Sequence, residues 1–428
     1  MRATVTRPGV AVSAAAATLL ALGGCASGGD GTGEVPRPAA TPATSAPSSG
    51  AATGGPEPSM VTPSRATVPA LDVQVVTRGL EHGWDVGFLP DGQVLVTQRP
   101  GRIALVSGTE PGAKVRTVRA DLSDVVAQGE GGLLGMVLHP DFATSRLFTT
   151  CQNHQEGGEP VDIRLVTWRL SADGGQATKV KDLLTGLPIA DSGRHSGCRP
   201  TVAADGALLV GTGDTADGAL PQDRTSLGGK VLRLDLDTGK PLPDNPFADA
   251  ADLRERLVWT YGHRNVQGVG IRPGTGQAYS GEHGPSNNDE VNLLRAGANF
   301  GWDPSRGGTQ GGYDESVPMT DTERFPDAVP AVWQSGATTQ AVCAVAFLDG
   351  PQWGALDGAL VVTALKGEKA LVLRLDEAGA VTSVAAPEEL QRYGRLRAAR
   401  LGPDGAIYVT TSNGDDDALL RVTPRAGS

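Results

Sequence analysis

Aromatic residues are scarce in this 428-residue chain: seven Phe, six Trp and five Tyr make up 4% of it. Such a composition fits a core of thin layers of Val, Leu and Ala rather than one filled by large rings. Cationic charge is also short, with 37 Lys and Arg against 48 Asp and Glu and a formal charge of −11. That balance supplies no general basic stripe, which argues against a nucleic-acid duplex or an anionic membrane surface as partner. Beyond the N-terminus no stretch resembles a transmembrane helix. Long runs of Ala, Glu, Lys, Leu and Arg are missing and no Gly-X-Y period is present, so coiled coil and collagen are excluded. No strand, Gly-rich loop and helix follow one another in the pattern that cradles a phosphate. What is abundant is Gly and Pro, 59 and 30 residues, well above average usage, which makes an all-helical fold unfavourable. The length allows one large domain or two to three ordinary ones. A cluster of Arg and Lys on so acidic a chain requires a local reason.

The N-terminal segment Met1–Cys25 starts with Arg2 and Arg7, continues through an apolar stretch at Ala14–Leu22 and ends Leu22-Gly23-Gly24-Cys25. Its apolar stretch is too short to span a bilayer and reads as an export signal. Leu-Gly-Gly-Cys resembles a bacterial lipobox, in which the Cys is acylated and becomes residue one, so Cys25 is the expected lipidation site. The plainer reading is a signal peptide that merely contains a Cys. Residues 26–68 are Gly, Pro, Ala, Ser and Thr with almost no large apolar side chain; they cannot offset their ordering entropy and read as a disordered tether. The expected location is the outer face of the cytoplasmic membrane or cell envelope, as a lipoprotein touching the membrane through its lipid anchor only, with the folded domain at 69–428. Cys151, Cys198 and Cys343 remain, and in a disulfide-permissive compartment one pair plus one leftover thiol is the simplest arithmetic.

From Leu71 onward one pattern recurs: an apolar run, a tight turn rich in Asp and Gly, then a second apolar run. Phe88-Leu89-Pro90-Asp91-Gly92 precedes Gln93–Thr97, Leu138-His139-Pro140-Asp141-Phe142 precedes Arg146–Thr150, and Ala203-Ala204-Asp205-Gly206 precedes Ala207–Val210. Ile271-Arg272-Pro273-Gly274, Phe347-Leu348-Asp349-Gly350 and Leu401-Gly402-Pro403-Asp404-Gly405 continue the series. Counted on Asp91, Asp141, Asp205, Gly274, Asp349 and Asp404, the gaps are 50, 64, 69, 75 and 55 residues. These are blade-sized units, and six of them predict an all-β, six-bladed β-propeller, whose radial closure leaves only short protected edges. Val73-Gln74-Val75-Val76 is expected to add an outer strand to the last blade and close the ring. Two β-sandwiches would not explain one turn signature repeated along the chain.

Antiparallel neighbours reverse direction, so residues before each inner strand and after each second strand share one end of the ring, opposite the turns. Gly129-Glu130-Gly131-Gly132, Arg194-His195-Ser196-Gly197, Gly262-His263-Arg264-Asn265, Gly394-Arg395-Leu396-Arg397, Thr212-Gly213-Asp214, Glu282-His283-Gly284-Pro285 and Leu365-Lys366-Gly367 all fall there. The result is a mouth lined by Arg264, Lys366, Arg395, Arg397, His195 and Glu130, suited to a small ligand with several negative charges. Each residue alone has a plainer reading: a lone Arg at a strand end is more often solvated, and a turn His more often hydrogen-bonded than reactive. Convergence of cations from several blades outweighs those readings. His82, His139 and His154 are read as structural.

These motifs, with Asp289-Glu290-Val291-Asn292-Leu293 and Asn299-Phe300-Gly301-Trp302, resemble in order and spacing the soluble pyrroloquinoline quinone (PQQ)-dependent aldose sugar dehydrogenases, the glucose/sorbosone dehydrogenase family. The resemblance covers about Leu71–Val422. It implies PQQ, an o-quinone with three carboxylates, with Arg264 and Asn265 on the quinone side and Lys366, Arg395 and Arg397 on the carboxylates. It implies calcium on the backbone carbonyls of Gly284 and Pro285. It further implies that His195 is the general base that takes the sugar hydroxyl proton while hydride leaves the same carbon, with Glu130 and Arg194 beside the sugar and electrons passing to an acceptor not named by the sequence. Neutral imidazole is required, so activity should fall as His195 is protonated.

The chain departs from the family at Arg194, where some members carry an acidic residue, at Ala398, where Asp is common, and at Cys198. Strand parity puts Cys151 and Cys198 at one end of adjacent blades, which favours a bridge between them. Two other classes of function compete: a non-catalytic propeller that binds an anionic ligand or an envelope partner, and a calcium-dependent lactone hydrolase, which would need acidic ligands on the axis.

Overall fold

The structure, a computed structural model, describes residues 68–308 and 312–425. The expected signal peptide, Cys25 and the tether through residue 67 lie outside the described residues. Six four-stranded antiparallel sheets form the blades of a β-propeller, as the repeat predicts. Their inner strands are Gly83–Phe88, Leu133–Leu138, Arg199–Val202, Val266–Ile271, Val342–Phe347 and Leu396–Leu401. We number the blades 1 to 6 in that order.

The turns show why one short motif can space a whole ring. In blade 1, Asp91 Oδ1 accepts the Gln93 N–H at 3.1 Å, the Leu89 N–H donates to Gln93 O at 2.8 Å, and Gly92 takes φ +84°. Asp205 with Gly206 and Asp404 with Gly405 repeat the same three features in blades 3 and 6. The Asp side chain satisfies the backbone donor two residues on, and Gly supplies the positive φ without steric cost. Blade 2 replaces the Gly by a short helix, Phe142–Ser145, and blade 5 inserts the 3-10 segment Pro351–Leu356 between turn and strand.

Between blades the core is made of Val, Leu, Ile and Ala in thin layers, with Trp84, Trp168, Trp302 and Trp353 each at most 1% exposed. Each fully buried Val or Leu contributes about 1.5–3 kcal/mol, so stability is spread over many contacts. Blades 1, 3 and 6 are also tied by charge: the fully buried Asp85 carboxylate lies 2.7 Å from Arg199 Nη1 and 2.8 Å from Arg400 Nη2. Burial opposes ionisation of Asp85, but the two guanidiniums outweigh it and hold its carboxyl below the usual range.

Ring closure follows the expectation for Val73–Val76. The strand Leu71–Leu80 pairs with Asp417–Pro424 of blade 6, with Leu71 opposite Pro424 and Leu80 opposite Asp417. The first strand of the fold thus completes the last sheet. Cys151 and Cys198 are joined by a disulfide with Cα atoms 6.2 Å apart, and Cys343 is a buried free thiol. Cys151 lies inside its strand, Leu147–Glu156, which runs further toward the mouth than the sequence pattern indicates.

Candidate active site

The mouth is built as two cavities that share Glu130 and His283. The larger, about 590 Å³, is walled by Arg99, Lys366, Arg395 and Arg397 together with His82 and Gln267. The smaller, about 200 Å³, holds Arg194, His195, Arg264 and Asn265. Among the described residues, six cations thus line the pair against one lining carboxylate, Glu130. His82 is a correction: its ring, read as structural, borders the larger cavity, because it occupies in blade 1 the same place before the inner strand that carries the motifs of the other blades. His139 and His154 lie elsewhere, against Thr149 and Asp124 respectively.

His195 is held from behind. Its Nδ1 donates to Asp214 Oδ1 at 2.7 Å, which leaves Nε2 as the acceptor. Asp214 is fully buried, and its Oδ2 accepts from the Tyr313 hydroxyl at 2.6 Å and from Trp302 Nε1 at 2.8 Å. Burial, then the Asp214 charge, pushes the Tyr313 phenol well above its ordinary range, so it remains a donor. His195 takes φ +50°, a left-handed conformation uncommon for a residue with a side chain. The next residues fix it there: the Ser196 N–H donates to Glu130 Oε1 and the Gly197 N–H to Asn265 Oδ1, both at 3.1 Å. Gly213 lets the Asp214 loop pass this close, since a Cβ on it would lie 1.8 Å from the His195 carbonyl oxygen.

Glu130 is the hub between the cavities. Besides Ser196, it accepts from Asn265 Nδ2 at 3.1 Å and from Gln267 Nε2 at 2.9 Å. Arg264, 3% exposed, donates through Nη1 to the His283 carbonyl at 2.7 Å and through Nη2 to Glu315 at 2.5 Å. The same Glu315 oxygen accepts from Arg194 Nη2 at 2.9 Å. Burial disfavours the Glu315 carboxylate, but Arg264 chiefly, with Arg194 and His195 adding, holds its carboxyl below the usual range. Among the described residues, Arg264 Nε and Arg397 Nε are buried without hydrogen-bond partners, an arrangement suited to an acceptor from a bound ligand.

The glucose/sorbosone dehydrogenase family model matches residues 80–421. The chain belongs to this family. It is 31% identical over 369 residues to an aldose sugar dehydrogenase of Escherichia coli, covering 83% of this chain and 93% of that protein. It is 30% identical over 260 residues to quinoprotein glucose dehydrogenase B of Acinetobacter calcoaceticus, covering 54% of this chain and 52% of the relative. Among solved structures, the PQQ-bound aldose sugar dehydrogenase of Streptomyces coelicolor superposes with a TM-score of 0.65 at 28% identity, covering 83% of this chain and all of that one.

For a glucose/sorbosone dehydrogenase, the lining suits an anion with several carboxylates, since Arg264 and Arg397 each keep a buried donor free. The residues expected at calcium are of another kind. Gly284 O accepts from His283 Nδ1 at 2.5 Å, and the nearby Asp289 is saturated by Gly284 N, Thr339 Oγ1, Gln340 N and Ala341 N. Burial, with Arg264 adding against the pull of Asp289, lowers the His283 imidazole and keeps it neutral. Among the described residues no cluster of three or more His, Cys, Asp or Glu is placed to hold a metal ion. The chain therefore offers carbonyls there, without a free carboxylate.

Beneath Arg264 lies a pair of buried acids. Glu282 accepts the Arg264 backbone N–H and His263 Nδ1, and Asn292 Nδ2 bridges it to Glu290. Burial, then the Glu282 charge, pushes Glu290 up to about 8. Between the ordinary 4.5 and about 8 the folded chain keeps a proton that the unfolded chain has released, so this contribution to stability falls as pH rises through that window. Glu290→Gln is expected to remove the dependence. Urea unfolding at pH 5 and pH 8 checks it: the variant should gain on the wild type by a few kcal/mol between the two, at about 1.4 kcal/mol per pKa unit, and an equal difference at both would refute the proton retained on Glu290.

Proposed function

We propose that the chain is a PQQ- and calcium-dependent sugar dehydrogenase that oxidises the C1 hydroxyl carbon of aldoses and passes the electrons to an acceptor yet to be identified. The observation that carries this reading is the His195–Asp214 pair opening beside a cavity of cations. Asp214 fixes the imidazole tautomer and stabilises the imidazolium that forms, so Nε2 of His195 takes the hydroxyl proton as the C–H bond yields its hydride. When bound, the quinone supplies the two-electron acceptor for that hydride. Lys366, Arg395 and Arg397 would hold its carboxylates, and Arg264 and Asn265 its quinone edge, with Glu130 keeping Asn265 and Gln267 oriented. A passive propeller has no use for a buried Asp behind an inward-facing His, so the catalytic reading is favoured. Reconstitution of the purified domain with PQQ and calcium, followed by an aldose assay with an artificial dye, tests it. Absence of PQQ binding at micromolar concentration would sink it.

Calcium would rest on the carbonyls of Gly284 and Pro285, with its remaining oxygens drawn from cofactor and water. Calcium is therefore expected to raise the thermal midpoint by a few degrees only when PQQ is present. An equal rise in the cofactor-free protein, seen by scanning fluorimetry, would place the ion on protein groups alone. We also propose that the domain works outside the cytoplasmic membrane, tethered through Cys25. The Cys151–Cys198 disulfide supports a location in an oxidising compartment.

A further inference from the structure

Resting on the dehydrogenase reading, we propose that the preferred sugar carries a carboxylate, a uronic acid rather than a neutral aldose, and that Arg194 selects it. Arg194 directly precedes the base, lines the same small cavity, and keeps 48% of its side chain exposed, whereas its neighbour Arg264 keeps 3%. Its guanidinium lies 5.7 Å over the Tyr313 ring and is braced on Glu315, so its donors are oriented before a ligand arrives.

The carboxylates around the base are already committed. Glu130 accepts from Ser196, Asn265 and Gln267. Asp214 accepts from His195, Tyr313, Trp302 and the Ala216 N–H. Glu315 offers one oxygen to both Arg194 and Arg264, one negative charge set against two positive ones. A neutral sugar, whose hydroxyls seek carboxylate acceptors, therefore finds few here. A carboxylate on the sugar finds a fork of N–H donors whose charge Glu315 offsets only in part. The four cations of the larger cavity are the ones a tricarboxylate cofactor would engage, which leaves Arg194 for the substrate.

The PQQ-loaded protein should be assayed with glucuronate, glucose and glucose 6-phosphate at one ionic strength. The expected ratio of kcat/KM for glucuronate over glucose is about tenfold, with Arg194→Gln bringing it down by about the same factor. Glu315→Gln, which removes the competing carboxylate, should raise the ratio. Added NaCl should raise KM for glucuronate and leave that for glucose unchanged. A ratio at or below one, or one that Arg194→Gln does not move, overturns the inference while glucose oxidation leaves the dehydrogenase reading intact. Preference for the phosphorylated sugar overturns the carboxylate assignment. Loss of oxidation of every sugar, with PQQ still bound, overturns both readings.

Discussion

A His195→Gln variant is expected to bind PQQ like the wild type and to turn over sugar about a thousandfold more slowly, the loss typical of a missing general base. Gln cannot accept the hydroxyl proton, and the loss should fall on kcat. Asp214→Asn should approach the same loss, because an amide opposite Nδ1 no longer demands the tautomer that leaves Nε2 free. Tyr313→Phe removes one of four donors to Asp214 and should cost much less. Single-turnover reduction of bound PQQ, followed by its absorbance, separates these effects from changes in sugar binding. Turnover in His195→Gln within tenfold of the wild type would remove the base from the mechanism.

The second large effect is expected at Arg397. This side chain is 6% exposed, lines the larger cavity, donates to Cys343 Sγ at 3.4 Å, and among the described residues has no partner for its Nε. Truncating one member of a buried, hydrogen-bonded charge pair costs about 2–5 kcal/mol, so Arg397→Ala should weaken PQQ binding on the order of a hundredfold or more. Lys366 is exposed, and its loss should matter less and mainly at low salt. Absorbance titration of PQQ into the cofactor-free protein reads both. An unchanged affinity in Arg397→Ala would move the carboxylates to other residues.

Much of this was legible in the sequence because the fold repeats itself. One Asp-Gly turn motif gave blade number and spacing, and strand direction then carried Glu130, His195, Arg264, Lys366, Arg395 and Arg397 to one end. The same logic places Asp214 at the mouth, yet its role needs a distance. Tyr313 and Glu315 were out of reach for a different reason: they sit on the long excursion between the strands Glu290–Leu293 and Trp333–Gln334, which belongs to no repeat and crosses from blade 4 to the base of blade 3. Arg99 and His82 were within reach of the strand-direction rule, since Glu81-His82 precedes the blade 1 inner strand and Arg99-Pro100-Gly101 follows its second strand, but no mouth residue was drawn from blade 1. Glu130 shows what residue types leave unsaid: a carboxylate was expected at the mouth and lines both cavities, but that its oxygens also organise Asn265 and Gln267 needs coordinates.

The closing strand also fixes the end of the ring at which the described chain begins. Ile407–Thr411 climbs from the Asp404 turn toward the mouth, Asp417–Pro424 descends again, and Leu71 meets Pro424 at the foot of that descent. Residues 68–70 therefore lie at the back of the ring, on the face of the turns. His195 and the cationic cavity open at the other end of the ring, so the surface a sugar meets and the surface at which the described chain begins are separated by the full height of the blades.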